Sequence, residues 1–426
     1  MNQKKVALFT VGCKLNQYET EWMGESLEKL GFKRVNFSEP ADLYIINTCT
    51  VTAQSDYSSR QAIYRAFRRS PNSKIAVVGC YSEIEPDFLK KLPGVILVLG
   101  NEEKKRIGEI ILERLYNQKP EIREEKTIIT SRFKHTRALV KIQDGCNQSC
   151  AYCIVPKARG KEISRDVNEV VQEIKGLKDQ RFKEVVLTGV HIGKYCEEGL
   201  NLSGLLKKIL VETDVERIRL SSVEPQELDE ELIKLLEKEK RVCRHLHIPL
   251  QSGSNKVLKK MKRNYTVEEY SNLIQSVYKR VKDITLGADV MVGFPEEKEE
   301  DFEKTCEFIL SSPLAYLHVF SYSDRKGTLA SGMKDKVDPK IIQRRSKLLH
   351  RIGKEVWEKH LNCFVDKKLE ILVESNWDKD SGRLIGLTDN YIRVLIDGKD
   401  DLKNQILPVK IAEREGKYLT GEIFNE

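Results

Sequence analysis

Three absences frame this 426-residue chain. No apolar run approaches the ~20 residues of a membrane-spanning helix; "VILVLG" at 95–100 has the length of a strand. There is no low-complexity segment and no internal repeat, which argues against a disordered tether or a solenoid. A usable export signal is also missing. "KKVALFTVGC" offers a basic start and a cysteine, but only residues 6–12 could act as its hydrophobic region, at the short limit for a signal peptide. Those residues serve better as a first strand, so a cytoplasmic protein with no membrane association is expected. The length predicts two or three domains. Apolar content of 40% suffices for packed cores, and 32% charged residues suit a soluble surface.

The formal charge is +8 and the isoelectric point about 8.8, a modest excess that is locally concentrated. "SRQAIYRAFRRS" (59–70) carries four arginines and no acid, and "KVLKKMKRNY" (256–265) five cations and no acid. Such clusters suit a polyanionic partner, and solvated helix faces account for them equally well.

The ten cysteines are more informative. A large chain without an export signal does not need disulfides, so grouped thiols point to metal. Cys146, Cys150 and Cys153 fall within "CNQSCAYC" in a C-x3-C-x2-C pattern. Soft thiolates at this spacing select zinc or an iron–sulfur cluster. A structural zinc site needs a fourth ligand. No fourth cysteine lies within forty residues downstream, and His135 or His191 could close the site only by folding. A [4Fe–4S] cluster held at three corners explains the missing ligand, because its open iron can take a small molecule.

A second, dispersed triad is formed by Cys13, Cys49 and Cys80. Each follows a predicted strand: "VALFT" (6–10), "LYIIN" (43–47) and "IAVVG" (75–79). Helical patterns alternate with these strands, which predicts a doubly wound parallel sheet over residues 1–117. Ligands of such sheets bind beyond the carboxyl ends of the strands, where three thiols distant in sequence can meet. Three unrelated core cysteines are the competing reading. Residues 118–137 read as a linker. Strands "ALVKIQ" (138–143), "EVVLTGV" (184–190), "RIRLSS" (217–222), "HLHIPL" (245–250), "ITLGADVMVGF" (284–294) and "AYLHVF" (315–320) alternate with amphipathic helices, predicting a partial (β/α)6 barrel over 138–360 with its site at the strands' carboxyl ends. Short alternating strands then predict a small all-β barrel over 361–426, a nucleic-acid-binding module or a structural cap. Cys196, Cys243, Cys306 and Cys363 match neither triad and read as core thiols.

Taken together, "CNQSCAYC", "GCKLNQYE", "NTCTVT", "VVGCYSE", "HIPLQSGSNKVLKKMKRNY" and "GADVMVGFPEE" resemble the radical S-adenosylmethionine (SAM) methylthiotransferases, and "GLTDNYIRVLI" is similar to the TRAM RNA-binding module. The resemblance covers nearly the whole chain. It implies a radical SAM barrel, two [4Fe–4S] clusters and two SAM molecules per turnover. Cys146, Cys150 and Cys153 would hold the radical-generating cluster, and Cys13, Cys49 and Cys80 an auxiliary cluster carrying sulfur. It implies SAM contacts from Tyr152, Gly189, Ser222, Gln251 and Arg263, with a hydrophobic plug competing at Tyr152 and a phosphate contact at Arg263. "GCKLNQYETE" and "LTGVHIGKY" look most like the branch acting on N6-threonylcarbamoyladenosine (t6A) at position 37 of tRNA. The implied reaction places CH3–S– on C2 of that base, with an electron donor such as flavodoxin or ferredoxin. The alternatives are the same chemistry on isopentenyladenosine-37 tRNA, and a zinc-stabilised RNA-binding protein without catalysis. Tyr391 and Arg393 are candidate RNA contacts, with a buried strand as the competing reading of "YIRVLI".

Overall fold

A computed structural model describes residues 3–118 and 135–424. Most of the expected linker, 118–137, lies outside the described residues. The first unit is a five-stranded parallel sheet: β1 (Lys5–Thr10), β2 (Lys33–Val35), β3 (Leu43–Thr48), β4 (Lys74–Gly79) and β5 (Val95–Leu99), in the order β2-β1-β3-β4-β5. β3 is buried at all six positions, as an inner strand covered by helices on both faces must be. Helices α1 (Lys14–Lys29) and α2 (Ala53–Arg69) follow β1 and β3. They belong to separate apolar clusters on the two faces: Met23 and Leu27 with Val6 and Leu43, and Ala62, Ile63 and Ala66 with Tyr44 and Ile46.

Six further parallel strands follow: β6 (Ala138–Lys141), β7 (Glu184–Thr188), β8 (Arg217–Leu220), β9 (His245–His247), β10 (Thr285–Val292) and β11 (Tyr316–Ser321). They pair as β8-β7-β6 and β9-β10-β11, and parallel bridges Ile218–Val242 and Ser222–His247 join the halves. The result is an open barrel with edges at β6 and β11. Its core runs from Val140 through Leu187, Leu220 and Leu246 to Val290. Among the described residues, no helix is long and apolar enough to cross a membrane.

A 24-residue helix (Pro339–Asn362) leads to a closed barrel of β12 (Lys368–Trp377), β13 (Leu384–Thr388), β14 (Arg393–Ile396), β15 (Ile406–Glu415) and β16 (Tyr418–Ile423). It packs against the amino-terminal ends of the open barrel's strands. Arg217, first in β8, donates to the carbonyls of Leu387 and Glu370, both at 3.0 Å. Arg219 donates to Thr388 and Asp389 carbonyls, and its Nε lies 2.7 Å from Glu184, first in β7. Tyr391 stacks on His245 with ring centroids 4.2 Å apart. Its ring is half-buried in this internal seam, and Arg393 is exposed.

Candidate functional site

Cys13, Cys49 and Cys80 lie just past the carboxyl ends of β1, β3 and β4, three strands adjacent in the sheet. The register is level: Thr10 pairs with Asn47, and Thr48 with Gly79. Neighbouring strands lie about 4.8 Å apart, so the three thiols gather at one edge although no two are close in sequence. Two glycines make the approach possible. Gly12 has φ +110°, and a Cβ there would stand 2.6 Å from Cys49 Cβ and 3.0 Å from its Sγ. Gly79 has φ +98°, and a Cβ there would strike Asn47 Oδ1 at 2.5 Å and the Thr48 carbonyl at 2.8 Å. Only glycine accepts such positions cheaply. Asn16 ties the loops together, donating to the carbonyls of Val11 (2.7 Å) and Thr48 (3.0 Å).

Burial, reinforced by the neighbouring thiols, pushes Cys49 up to about 11 and raises Cys13. Cys13 remains solvent-accessible while enclosed by protein, as a group lining a cleft should be. Arg159 and Asn16 oppose the rise at Cys13, and Asn101 Nδ2 approaches Cys80 Sγ at 3.8 Å.

The second triad sits in the loop after β6. Gln148 N–H points at Cys146 Sγ from 3.4 Å, and Arg263 Nη1 at Cys150 Sγ from 3.4 Å. Burial raises Cys150, and pushes Cys153 up to about 12. Clustered, buried thiols that each disfavour ionisation of the next need a cation to hold them as thiolates. Nitrogen donors aimed at sulfur are what tune an iron–sulfur centre. The donor sets therefore suit cluster ligation.

Zinc closure fares worse. His135 lies beside Thr136, whose hydroxyl is 3.0 Å from Ser375 of the closed barrel, at the far end of β6. His191 does stand 3.7 Å from Cys146 Sγ, but both its nitrogens are claimed by carboxylates: Glu162 at Nδ1 (3.2 Å) and Glu227 at Nε2 (2.7 Å). Burial opposes its charge, yet Cys146 and Glu227 outweigh burial and raise it to about 10. An imidazole held between two carboxylates has no free nitrogen with which to close a zinc site. Around Cys13, Cys49 and Cys80 the described neighbours are Asn16, Asn101 and Arg159 rather than a fourth ligand.

The remaining predicted residues take distinct places. Tyr152 packs on the apolar group of Ala151, Val257, Met261, Phe294 and Ala330. Gly189 admits Gln143, whose carbonyl would lie 2.7 Å from a Cβ at 189. Ser222 is exposed beyond β8. Gln251 has φ +64° and bridges to Val290. Arg263 is buried and ion-paired with Glu224, a carboxylate the sequence reading missed. Of the second basic stretch, Lys256 pairs with Asp301 and Lys260 with Glu296, leaving Lys259 and Lys262 exposed. In the first, Arg60 donates to Tyr81 and Arg69 to the Phe37 carbonyl. Cys243 is a core thiol as expected, and Cys306 is half-buried. Cys196 and Cys363 are exposed, in a surface loop and at the end of the long helix, so they are not core thiols.

The two triads face each other. Arg159, at the end of the short helix Val155–Arg159 that follows Cys153, reaches Glu19 (3.0 Å) and Asn16 (2.5 Å) on α1. Ala158 accepts a hydrogen bond from Asn101. Arg325, beyond β11, reaches Thr50 and Asp56 beyond β3, each at 2.6 Å. The carboxyl ends of both sheets thus close on one cleft.

Comparison with known proteins agrees. The Radical SAM superfamily profile matches residues 140–309, and that of Uncharacterized protein family UPF0004 matches residues 5–100. The chain is 38% identical over 432 residues to "Threonylcarbamoyladenosine tRNA methylthiotransferase MtaB" of Bacillus subtilis, covering 98% of this chain and 96% of that protein. It is 39% identical over 409 residues to the protein of the same name from Aquifex aeolicus, covering 92% and 97%. A "tRNA-2-methylthio-N(6)-dimethylallyladenosine synthase" of Alkaliphilus oremlandii is 32% identical over 440 residues, covering 99% and 93%. In fold, the chain resembles the radical SAM methyltransferase TsrM of Kitasatospora setae, with a TM-score of 0.57 at 16% identity over 75% of this chain and 72% of that one.

Proposed function

Because this chain belongs to the tRNA methylthiotransferases of the radical SAM superfamily, we propose that it converts t6A at position 37 of tRNA to its 2-methylthio derivative. Its similarity to relatives named for t6A exceeds that to a relative named for dimethylallyladenosine, 38–39% against 32% identity. The observation that carries the reading is the pair of three-thiol sites on facing strand ends.

In this reading Cys146, Cys150 and Cys153 hold one [4Fe–4S] cluster and Cys13, Cys49 and Cys80 a second. Such clusters, together with SAM, supply one-electron chemistry able to take hydrogen from an unreactive C–H bond. The chain's own residues do the rest. Gln148 and Arg263 direct N–H groups at the sulfurs of Cys146 and Cys150 and stabilise their negative charge. Glu224 fixes Arg263 in that pose. Tyr152, Gly189, Ser222 and Gln251 line the mouth where SAM would lie. Glu19, Arg159 and Asn101 tie the first sheet to the open barrel. The exposed Arg65, Arg68, Lys259 and Lys262 offer cations to an anticodon stem-loop, whose unpaired bases are the usual target of RNA recognition.

Mass spectrometry of tRNA nucleosides from a deletion strain tests the reading. Loss of 2-methylthio-t6A, restored by the wild-type gene, is expected. Loss of 2-methylthio-isopentenyladenosine with 2-methylthio-t6A intact would assign the other substrate.

A further inference from the structure

Helix α2 carries four arginines and one acid, Asp56. Arg325 takes that acid at 2.6 Å. Among the described residues, none of the four arginines meets a carboxylate. Arg60 donates to the Tyr81 hydroxyl at 3.1 Å, and Arg69 to the Phe37 carbonyl at 2.6 Å. Arg65 lies across the Phe9 ring, its Cζ 4.8 Å from the centroid, which orients the guanidinium while leaving it exposed. Arg68 is exposed as well.

Ala62, Ile63 and Ala66 turn one face of this helix to the sheet. The opposite face presents Tyr57, Gln61, Arg65 and Arg68 at helical spacing, over about 16 Å. Tyr57 marks its cleft end, eight residues after Cys49. This tyrosine is 50% exposed, and Val51, nearer the thiol, is 49% exposed. Among the described residues the Tyr57 hydroxyl has no hydrogen-bond partner. The same end is fastened to the open barrel. Arg325 Nη2 reaches Thr50 Oγ1 at 2.6 Å, and Ala53 N–H donates to Ser323 Oγ at 3.0 Å. An aromatic and two oriented cations thus lead outward from the mouth of the cleft, starting from a fixed point.

We propose that this face of α2 is the docking track of the anticodon stem-loop. Tyr57 stacks on the unpaired base next to the target nucleotide, and Arg65 and Arg68 hold phosphates farther out. The placement rests on the reading above, in which the target base enters the thiol-lined cleft. A base drawn out of its stack leaves one face of its neighbour bare. An exposed aromatic ring at the cleft mouth can replace the lost stacking partner, whatever that neighbour's identity. The guanidiniums beyond it match phosphate geometry. An acidic protein would also be drawn to the arginines, but it has no use for a stacking platform beside the thiols. RNA satisfies both halves of the stripe.

The test is binding of synthetic t6A-bearing anticodon stem-loops to the anaerobically reconstituted full-length enzyme. One loop is intact; two others carry an abasic site, at position 36 or at position 38. Tyr57→Leu should bind the intact loop about tenfold more weakly, which corresponds to about 1.4 kcal/mol. It should bind one of the abasic loops as the wild type does, and Tyr57→Phe should retain wild-type affinity throughout. Arg65→Gln with Arg68→Gln should weaken all three loops alike. It should also flatten the slope of log affinity against log salt by about 1.4–1.8, the release of two counterions. Wild-type affinity of Tyr57→Leu for the intact loop overturns the proposal, and so does an equal loss on both abasic loops, which would mark a structural role. An unchanged salt slope in the arginine pair overturns it too. If that pair binds RNA normally but is reduced more slowly by an acidic electron-carrier protein, the face belongs to that protein and the proposal fails. A wild type that methylthiolates the intact loop while the variants bind as it does refutes this placement alone. One that leaves t6A unmodified refutes the functional reading.

Discussion

Gly79 turns the chain at the end of β4 so that Cys80 points along the sheet edge. Its φ of +98° and the 2.5 Å approach of Asn47 leave no room for a methyl group. Gly79→Ala should cost about 1–3 kcal/mol through backbone strain and tilt the thiol away. Iron analysis of the reconstituted variant should show a deficit confined to one of the two centres, and full iron would show that the turn is dispensable. A second residue governs pH dependence. Burial pulls His360 down to about 4, and its Nε2 meets Thr285 Oγ1 at 2.8 Å. Unfolded histidine titrates near 6.5. Above that pH the ring is neutral in both states. Between about 6.5 and 4 the unfolded chain takes the proton and the native one refuses it, so stability falls as pH drops, by up to about 3 kcal/mol. Chemical denaturation at pH 7 and pH 5 should show a smaller loss for His360→Asn than for the wild type; equal losses would place the titration elsewhere. At this scale the six thiols were legible because their chemistry and their positions relative to strands are written locally. Glu224 and the carboxylate partners of His191 were not, because pairs such as Arg263–Glu224 exist only after folding brings remote loops together.

At the scale of elements, one buried carboxylate joins two sheets. Glu19 on α1 receives Lys104 at 2.6 Å, Arg159 at 3.0 Å and Lys141 at 3.3 Å. These cations hold it well below the usual carboxylate range despite its burial. Glu19→Gln would leave Lys141 and Arg159 with Asp144 as their carboxylate, and Lys104 with only the amide oxygen of Asn101. The expected loss is about 3–5 kcal/mol, the penalty for stranding buried charge. Thermal unfolding should fall accordingly and protease sensitivity should rise between the first sheet and the barrel; an unchanged melting point would show that the sheets are joined by other contacts. The alternation of strands and helices made the parallel sheet and open barrel readable in advance. Strand β13 has a weak local signal. Its sequence "LIGLT" is short and broken by Gly386, and that glycine is present because a Cβ there would collide with Ile371 of β12. Nothing local reveals that His245 will stack on Tyr391.

For the whole molecule, the two ends of the open barrel are covered by different units. The carboxyl ends of its strands meet the carboxyl ends of the first sheet and bring six thiols to one cleft. The amino ends are plugged by the closed β-barrel through Arg217, Arg219 and Arg244. In the proposed reading, RNA held by that closed barrel would reach along the molecule to present a base to the sulfur-lined cleft. The most direct test compares iron and product in three anaerobically reconstituted proteins: the wild type, one with Cys13, Cys49 and Cys80 changed to alanine, and one with Cys146, Cys150 and Cys153 changed to alanine. Each variant should lose one half of the wild-type iron, and only the wild type should methylthiolate a t6A-bearing stem-loop. A first variant that keeps full iron or forms product would contradict the account.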